Sequence, residues 1–193
     1  MNNNKLHLGC GHKIKEGWIN HDIADLPGVD LVHDLNQYPW PIDDNTIDEV
    51  FAKDVLEHLP NLIRVMEEIY RITKPGAKVY IEVPYWNSWE AITDPTHVTQ
   101  FNEYTFTFFD PSHWRCKDRP YYTKARFKIN KLGFDVRLNP YLVPIIPIIN
   151  RRIPFIGRQI LIFNRPMKWF FGLLASFLNN IIIGLEVHLE RSE

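Results

Sequence analysis

The sequence predicts an α/β fold built on a mostly parallel, Rossmann-like sheet, and three observations support that class. Short apolar runs alternate with turn residues along the first half of the chain. Two glycines, Gly9 and Gly11, flank Cys10 directly after the first run. The next run, residues 18–21, ends on the acidic Asp22. A strand, a tight glycine turn and a neighbouring strand that ends in a carboxylate are typical of the ligand-binding edge of such a sheet.

The glycine turn predicts a ligand that places no phosphate group there. A dinucleotide site needs a third glycine and a full helix whose N-terminus faces the pyrophosphate. Here the sequence His12-Lys13-Ile14 takes the place of the third glycine, and too few residues separate Gly11 from Trp18 for a long helix. S-adenosyl-L-methionine fits, because an acidic strand end can hold its ribose hydroxyls and it carries a sulfonium and an ammonium instead of phosphates. The same features disfavour an NAD-dependent sugar enzyme.

Length and composition favour one folded domain, residues 1–193. A hydrophobic fraction of 45%, with 6 Trp, 8 Tyr and 12 Phe, excludes a disordered chain. The net charge of -1 gives no signal for a nucleic-acid partner. Acids dominate residues 1–60, whereas residues 136–185 carry basic charges and no acid. The acidic half suits a cationic cofactor and the basic, apolar half suits an anionic surface.

The cysteines and the ends of the chain predict a cytoplasmic location. Cys10 and Cys116 form neither a metal-binding spacing nor a disulfide framework, which indicates a reducing compartment. The first residues lead directly into the first strand without a signal peptide. The longest uncharged run, residues 169–185, lies at the short limit for a membrane span.

Further strands and a helix follow in the first half. Leu62, Met66 and Ile69 recur at helical spacing, and the sequence Lys74-Pro75-Gly76 supplies basic, proline and glycine stop signals. In order, the predicted elements are a third strand at 30–34, a fourth at 47–52, a helical turn at 53–59, a helix opened by Pro60 and a fifth strand at 78–83.

The second half gives weaker signals, and one of them stays ambiguous. Phe127 and Ile129 alternate as in a strand, yet Gly133 before residues 134–136 also suits a helix cap ahead of a sixth strand. Residues 185–190 alternate strictly, which predicts a last, half-exposed strand. The full prediction is a Rossmann-like seven-stranded mixed sheet with helices on both faces and an antiparallel last strand.

Several stretches resemble the motifs of class I S-adenosylmethionine-dependent methyltransferases, specifically the small type 11 group. The resemblance covers residues 5–83 and rests on LHLGCG, GWINHD, DLVHDL, PWPIDDNTIDEVFAKDVLEHL and RITKPGAKVYIEVP. The DPTH segment at 94–97, with the aromatic residues after it, resembles more loosely a subset of this group seen alongside glycan-assembly enzymes. The resemblance implies methyl transfer to oxygen or nitrogen of a small-molecule, glycan or lipid-linked acceptor.

A second function stays open beside this one. The chain would then be a non-catalytic S-adenosylmethionine-binding partner subunit in a surface-glycan or lipid assembly. The absence of residues before Lys5 that could cover the cofactor favours this alternative slightly.

The cofactor-binding prediction centres on Asp22 as ribose ligand, because a strand-end carboxylate needs hydrogen-bond partners and two vicinal hydroxyls supply them. Cys10 is expected to be a small filler, and His7 departs from the acidic or amide residue usual in the family's first strand. Asp34 and Leu35 are expected to border the adenine. The full predicted set is Gly9, Cys10, Gly11, Asp22, Ile23, Asp34, Leu35 and Lys53.

His97 is the predicted catalytic residue, a general base that deprotonates a hydroxyl acceptor. The alternative is that His97 holds its loop through Asp94. Glu57 and His58 are expected to cap helices or hold loops. A metal site is not predicted, because no further ligand lies at helical spacing from this pair.

Residues 141–180 are predicted to be a basic, apolar insertion between the last two strands. Prolines exclude a regular helix over residues 139–155, and a helix is predicted over 167–180. Phe170, Leu173, Leu174, Phe177 and Leu178 would share one face of that helix, opposite Gly172, Ser176 and Asn179. The helix is too short to span a membrane. The insertion would either pack on its own sheet or a second subunit, or lie in the interface of an anionic membrane.

Overall fold

A computed structural model describes residues 4–136, 160–162, 165–177 and 182–192. The strands are β1 (Lys5–Leu8), β2 (Ile19–Asp22), β3 (Leu31–Val32), β4 (Ile47–Lys53), β5 (Thr73–Pro84), β6 (Phe127–Val136), β7 (Ile160–Ile162) and β8 (Ile182–Arg191). The α-helices are α1 (Leu62–Ile72), α2 (Trp89–Thr93), α3 (Trp114–Asp118) and α4 (Arg165–Phe177). Short 3₁₀ turns occupy Leu56–His58 and Thr105–Phe108.

The strands form one mixed sheet in the order β3-β2-β1-β4-β5-β8-β6-β7. Strands β1 to β5 pair in parallel, whereas β8 runs antiparallel to both β5 and β6. The predicted seven-stranded, Rossmann-like mixed sheet with an antiparallel last strand is confirmed. The three-residue β7 adds an eighth strand at the edge, antiparallel to β6, and it lies inside the predicted insertion.

The two faces of the sheet differ in chemistry. On one face the strand residues are aliphatic and buried, and they share a core with Val65, Met66 and Ile69 of α1 and with Ala175 of α4. Burying each such aliphatic side chain stabilises the fold by roughly 1.5–3 kcal/mol. The strand residues of this face include Leu6, Leu8, Val50, Ala52, Val79, Ile81, Leu185 and Val187.

The opposite face is polar where β4, β5 and β8 meet. The pairing register places Lys53 beside Glu82, and Glu82 beside Glu186. One step further from the carboxyl edge, Tyr80 lies between Phe51 and His188. Because side chains alternate along a strand, the polar residues all project away from the aliphatic core.

Helix α1 begins and ends through local hydrogen bonds. The Asn61 side chain accepts a hydrogen bond from the Arg64 amide at 3.1 Å, and the Thr73 hydroxyl donates to the Ile69 carbonyl at 2.6 Å. The helix thus begins after Pro60 and ends before Lys74.

The two ends of β5 and the length of β3 differ from the prediction. Strand β5 begins at Thr73, and the register shift between Ile47 and Glu49 accommodates residues 74–77. Gly76 adopts a φ of 79°, which marks the bend there. Strand β3 is shorter than predicted, at two residues, and Asp34 begins a turn in which its carbonyl accepts from the Gln37 amide at 2.8 Å.

The ambiguity around Gly133 resolves in favour of a strand. Residues Phe127–Val136 form one continuous strand, β6, and Gly133 pairs with Glu186 of β8 instead of capping a helix. A register shift between Ile129 and Lys131 moves later residues to the other face. This bulge breaks the alternation on which a sequence-based prediction depends.

Helix α4 lies within the predicted insertion and packs on the sheet through both small and bulky residues. Gly172 faces the sheet, where an added Cβ would lie 3.9 Å from the Phe134 ring, and Ala175 is buried. Phe170 and Leu173 are exposed. Phe171 and Leu174 are partly buried against the same core, so small and bulky side chains share the part of α4 that meets the sheet. The proline segment at 139–155, which includes Arg151 and Arg152, lies outside the described residues. Arg158, Leu178 and Asn179 also lie outside them.

Candidate functional site

Glycine is needed at two positions of the first turn for two different structural reasons. Gly9 and Gly11 adopt φ values of 60° and 50°, in the left-handed region. A Cβ on Gly9 would lie 2.3 Å from Cγ2 of Val55, whereas a Cβ on Gly11 would meet nothing within 4 Å. Gly9 is therefore required for packing against the segment after β4. Gly11 borders open space that a ligand can occupy.

The Asp22 carboxylate is held against this turn. The Gly11 amide donates to its Oδ2 at 2.7 Å, and the Ala24 amide donates to its Oδ1 at 3.0 Å. A carboxylate oxygen accepts two hydrogen bonds, so each oxygen keeps capacity for one ligand hydroxyl. Ile23, the next residue, is 67% exposed and can border a ring. These residues fit the adenosine half of S-adenosylmethionine.

Cys10 is buried between the two glycines, as expected for a small filler. Its amide donates to the His21 carbonyl at 2.9 Å, and burial raises the pKa of its thiol. The bond ties the turn to β2, so the turn and Asp22 form one unit.

Asp34 and Leu35 lie beside Asp22, because the His33 amide donates to the Asp22 carbonyl at 3.0 Å. The Asp34 Oδ1 accepts from the Asn36 amide at 2.9 Å. The Leu35 side chain is buried, and its carbonyl accepts from the Trp40 indole at 3.1 Å. The structure therefore gives both residues a role in the turn, and their contact with an adenine stays a prediction.

Lys53 ends β4 and donates a hydrogen bond to Glu82. Burial opposes the charge of Lys53, but the bond to Glu82 and its negative charge outweigh that effect and raise the pKa of the ammonium. Asp54 follows with a φ of 54°. The predicted Lys53 thus lies at the same sheet edge as Gly9, turned toward an acidic neighbour.

A cavity of about 600 Å³ opens at this edge, where β4, β5, β6 and β8 meet. Five carboxylates and one ammonium are among the described residues that line it, which gives the cavity a strongly negative character. The lining residues are Lys53, Asp54, Glu82, Val83, Pro84, Glu90, Asp135, Ile183, Gly184, Leu185 and Glu186. The sequence could not indicate this cavity, because Glu82 and Glu186 meet only through the antiparallel register of β5 and β8.

His97 does not line this cavity in the described part of the chain. Its ring lies 4.7 Å from that of His58, centroid to centroid, and its Nδ1 is 3.2 Å from the Ala91 carbonyl. The Asp94 carboxylate binds the amide and hydroxyl of Thr96. The Asp94 carboxylate therefore holds the loop through Thr96, whereas the alternative prediction has His97 hold it through Asp94. The role of His97 as a base stays a prediction.

Glu57 is the most unusual side chain of this region. It is 1% exposed, and burial raises the pKa of its carboxyl to about 7. Within the described chain, no hydrogen-bond donor reaches either of its oxygens. The amides of Val98 and Thr99 instead donate to its backbone carbonyl, at 2.8 and 3.0 Å, which brings the DPTH segment to Glu57 and His58.

Comparison with protein families supports the predicted assignment. Residues 25–81 match the family described as Methyltransferase domain, type 11. A demethylmenaquinone methyltransferase of Listeria welshimeri is 36% identical over 76 residues, which are 39% of this chain and 28% of the relative. Phosphoethanolamine N-methyltransferase 2 of Caenorhabditis elegans is 31% identical over 70 residues, 36% of this chain and 14% of the relative. The matches thus span 28% of the first relative's length and 14% of the second's.

Solved structures show the same fold. An S-adenosylmethionine-dependent methyltransferase of Archaeoglobus fulgidus is 19% identical with a TM-score of 0.53, covering 97% of this chain and 86% of its own. Phosphoethanolamine N-methyltransferase 2 of Haemonchus contortus, in complex with S-adenosyl-L-methionine, is 16% identical with a TM-score of 0.50, covering 100% and 50%. The predicted resemblance to the class I S-adenosylmethionine-dependent methyltransferases, type 11 group, is confirmed. The non-catalytic alternative is not favoured by these matches.

Proposed function

We propose that this type 11 methyltransferase chain transfers a methyl group from S-adenosyl-L-methionine to an acceptor nitrogen or oxygen. The observation that carries the proposal is the Asp22 carboxylate, fixed by the Gly11 and Ala24 amides beside the open space at Gly11. When bound, S-adenosylmethionine supplies a methyl group already activated on a sulfonium. The chain must then hold the cofactor, align the acceptor and remove its proton.

The acidic cavity favours an amine among the possible acceptors. Its carboxylates outnumber its one ammonium in the described lining, so it attracts a cation and repels an anion. An ammonium group must lose a proton before its nitrogen lone pair can attack a methyl carbon. A carboxylate such as Glu90 or Glu186 can first hold that ammonium and then accept the proton. We therefore propose a small molecule or glycan bearing an amino group as acceptor.

Isothermal titration with S-adenosylmethionine, S-adenosylhomocysteine and NAD tests the cofactor half of the proposal. We expect micromolar binding of the first two and none of NAD. Asp22→Ala should weaken binding about 10- to 150-fold, since it removes charge-assisted hydrogen bonds worth roughly 1.5–3 kcal/mol. Asp25→Ala is the matched control, because Asp25 is an exposed carboxylate three residues later. Tight NAD binding without S-adenosylmethionine binding contradicts the proposal.

Formation of S-adenosylhomocysteine with paired acceptors tests the amine. Each amino compound is compared with the hydroxyl compound of the same skeleton. Turnover restricted to the amines supports the proposal. Glu186→Gln should raise the KM for the amines, because it weakens the attraction between the acidic cavity and the substrate ammonium. Turnover of the hydroxyl partner alone assigns an oxygen acceptor and rejects the amine.

A lipid-linked acceptor is a second candidate, supported by exposed apolar side chains. Trp169, 69% exposed, and Phe170 project from α4. A hydrogen bond of 2.7 Å from the Asn87 side chain to the Ala175 carbonyl joins α4 to the loop before α2. Trp89, the first residue of α2, is also exposed. Aromatic residues beside a basic sequence are typical of membrane-interface binding. No described helix has the length and apolarity to cross a membrane.

Flotation with liposomes tests this candidate. We expect binding to vesicles that contain phosphatidylglycerol, a decrease with added salt, and loss in Trp169→Ala/Phe170→Ala. Tyr121→Ala is the control, since Tyr121 is an equally exposed aromatic residue beside a different surface cavity. No binding at low salt, together with a stable dimer in solution, assigns the apolar surface to a second copy of the chain.

A further inference from the structure

We propose that Glu57, His58 and His97 bind one divalent transition-metal ion, with Zn²⁺ the best match. One ligating atom from each of the three residues lies within 4.8 Å of the other two. This proposal does not rest on the methyl-transfer activity. It gives a function to a cluster that the cofactor turn and the acidic cavity leave unused.

Glu57 supplies the first line of evidence. A carboxylate that is 1% exposed and has no hydrogen-bond donor at either oxygen, among the described residues, lacks the partners that buried charges require. A bound dication supplies such a partner. The amides of Val98 and Thr99 hold the Glu57 backbone under the DPTH segment, where its side chain is buried.

The two histidines supply independent evidence through their outer hydrogen bonds. Thr96 donates its hydroxyl proton to Asp94 at 2.6 Å, so its oxygen accepts from Nδ1–H of His58 at 2.9 Å. Nδ1 of His97 lies 3.2 Å from the Ala91 carbonyl, to which it can only donate. In both rings the lone pair therefore resides on Nε2. Histidine metal ligands are oriented in this way, with the second nitrogen donating to a carbonyl or to a polar group.

The ligand types select the class of metal. Two imidazoles and one carboxylate suit Zn²⁺ and its neighbours in the first transition row, whereas Mg²⁺ and Ca²⁺ prefer oxygen ligands. In a tetrahedral zinc site, ligands at about 2.1 Å from the metal lie roughly 3.4 Å apart. Ligating atoms up to 4.8 Å apart must therefore approach by up to about 1.4 Å, which small side-chain rotations can provide. Three protein ligands leave one position for water or another ligand.

The position of the cluster places the metal close to the proposed cofactor turn. Glu57 follows Val55 by two residues, and Val55 is the side chain that packs on Gly9. The metal would also join two distant segments, residues 54–59 and 94–99, at the carboxyl edge of the sheet. It therefore can order the loop that leads to the aromatic part of the chain.

Metal titration of the full chain, stripped with a chelator and then dialysed, tests the proposal. We expect one Zn²⁺ per chain, and Co²⁺ should give the visible absorption of a low-coordinate site with nitrogen ligands. Glu57→Gln and His97→Ala should each weaken Zn²⁺ binding at least 100-fold. Thr96→Val should weaken it about 10- to 100-fold, although Thr96 touches no metal, because it orients His58. Thermal unfolding in chelator shows that each variant is folded.

His12→Ala is the control, since His12 is exposed and outside the cluster. It should bind Zn²⁺ as the unmodified chain does. Absence of one-to-one binding by the unmodified chain overturns the proposal. Binding that survives in folded Glu57→Gln and His97→Ala also overturns it, since the ion then lies elsewhere. These readouts are independent of S-adenosylmethionine binding, so failure of either proposal is distinguishable from failure of the other.

Discussion

Asp22 and Glu57 are two carboxylates at the same edge of the sheet, and their surroundings are opposite. Asp22 is partly exposed and accepts two backbone hydrogen bonds, from Gly11 and Ala24. Glu57 is buried and receives no hydrogen bond from the described residues. The first carboxylate is already stabilised and keeps lone pairs for hydroxyls. The second needs a proton or a cation.

This difference shows how position along the chain determines what a carboxylate can bind. Asp22 and its partners lie within fourteen residues of one another, so a local turn and strand end suffice to orient it. Glu57 depends on a segment forty residues away, which buries it and brings His97 to it. A locally satisfied carboxylate suits reversible binding of a neutral group. A buried carboxylate beside two imidazoles suits a metal ion.

The largest expected effect on stability is at Gly9, because its substitution disturbs the turn that holds the Asp22 carboxylate. Gly9→Ala places a methyl group 2.3 Å from Val55 Cγ2 in a left-handed backbone conformation. We expect the free energy of unfolding to fall by about 2–5 kcal/mol, from backbone strain and overpacking together. Urea unfolding measures this. The double variant Gly9→Ala/Val55→Ala should recover part of the loss, and no recovery contradicts the role of Val55.

The next effect concerns Glu57 and gives a pH dependence of stability in the metal-free protein. Its folded pKa of about 7 is raised by burial from an ordinary value of 4.5. Below pH 4.5 the carboxyl is protonated in both states, and its burial costs nothing electrostatically. Between pH 4.5 and 7 the unfolded chain loses the proton first, so stability falls as pH rises. The full loss above pH 7 is about 3 kcal/mol.

Glu57→Gln removes the titrating group and tests this sign. The difference in stability between the variant and the unmodified chain should change in favour of the variant as pH rises from 4.5 to 7. Urea unfolding in chelator, at several pH values, measures the difference. A difference that is constant with pH contradicts a buried, unpartnered carboxyl. Added Zn²⁺ should reverse the trend in the unmodified chain only, because the metal binds the ionised form.

The comparison also explains which features the sequence predicts. The cofactor turn, Asp22 and the parallel strands were predicted because each signal is local: glycine conformation, strand length and a residue at a strand end. The strand around Gly133 stayed ambiguous because the bulge after Ile129 hides its alternation. The side chains of α4 were grouped by hydrophobicity alone, which did not indicate that Gly172 and Ala175 meet the sheet together with Leu174.

The remaining site features depend on tertiary contacts. Glu57 and His58 were compared only with residues at helical spacing, so His97 was not considered as a third ligand. The DPTH segment was the available signal for a third ligand. It contains His97 together with Asp94 and Thr96, two side chains that can form the hydrogen bonds that orient an imidazole ring. The acidic cavity required the register of β5 and β8, which no local pattern specifies.

The smallest expected change in stability, at Gly11, separates holding the carboxylate from leaving room for a ligand. Gly11→Ala keeps the amide that donates to Asp22, and its added methyl group meets no protein atom within 4 Å. Its cost is the left-handed conformation alone, about 1–2 kcal/mol, partly offset by the lower entropy of the unfolded chain. Since the methyl group enters the space proposed for the cofactor, S-adenosylmethionine affinity should fall at least tenfold despite the intact fold. Urea unfolding and titration on the same sample measure both values. Normal affinity in a folded Gly11→Ala would show that the cofactor does not approach the turn at this residue.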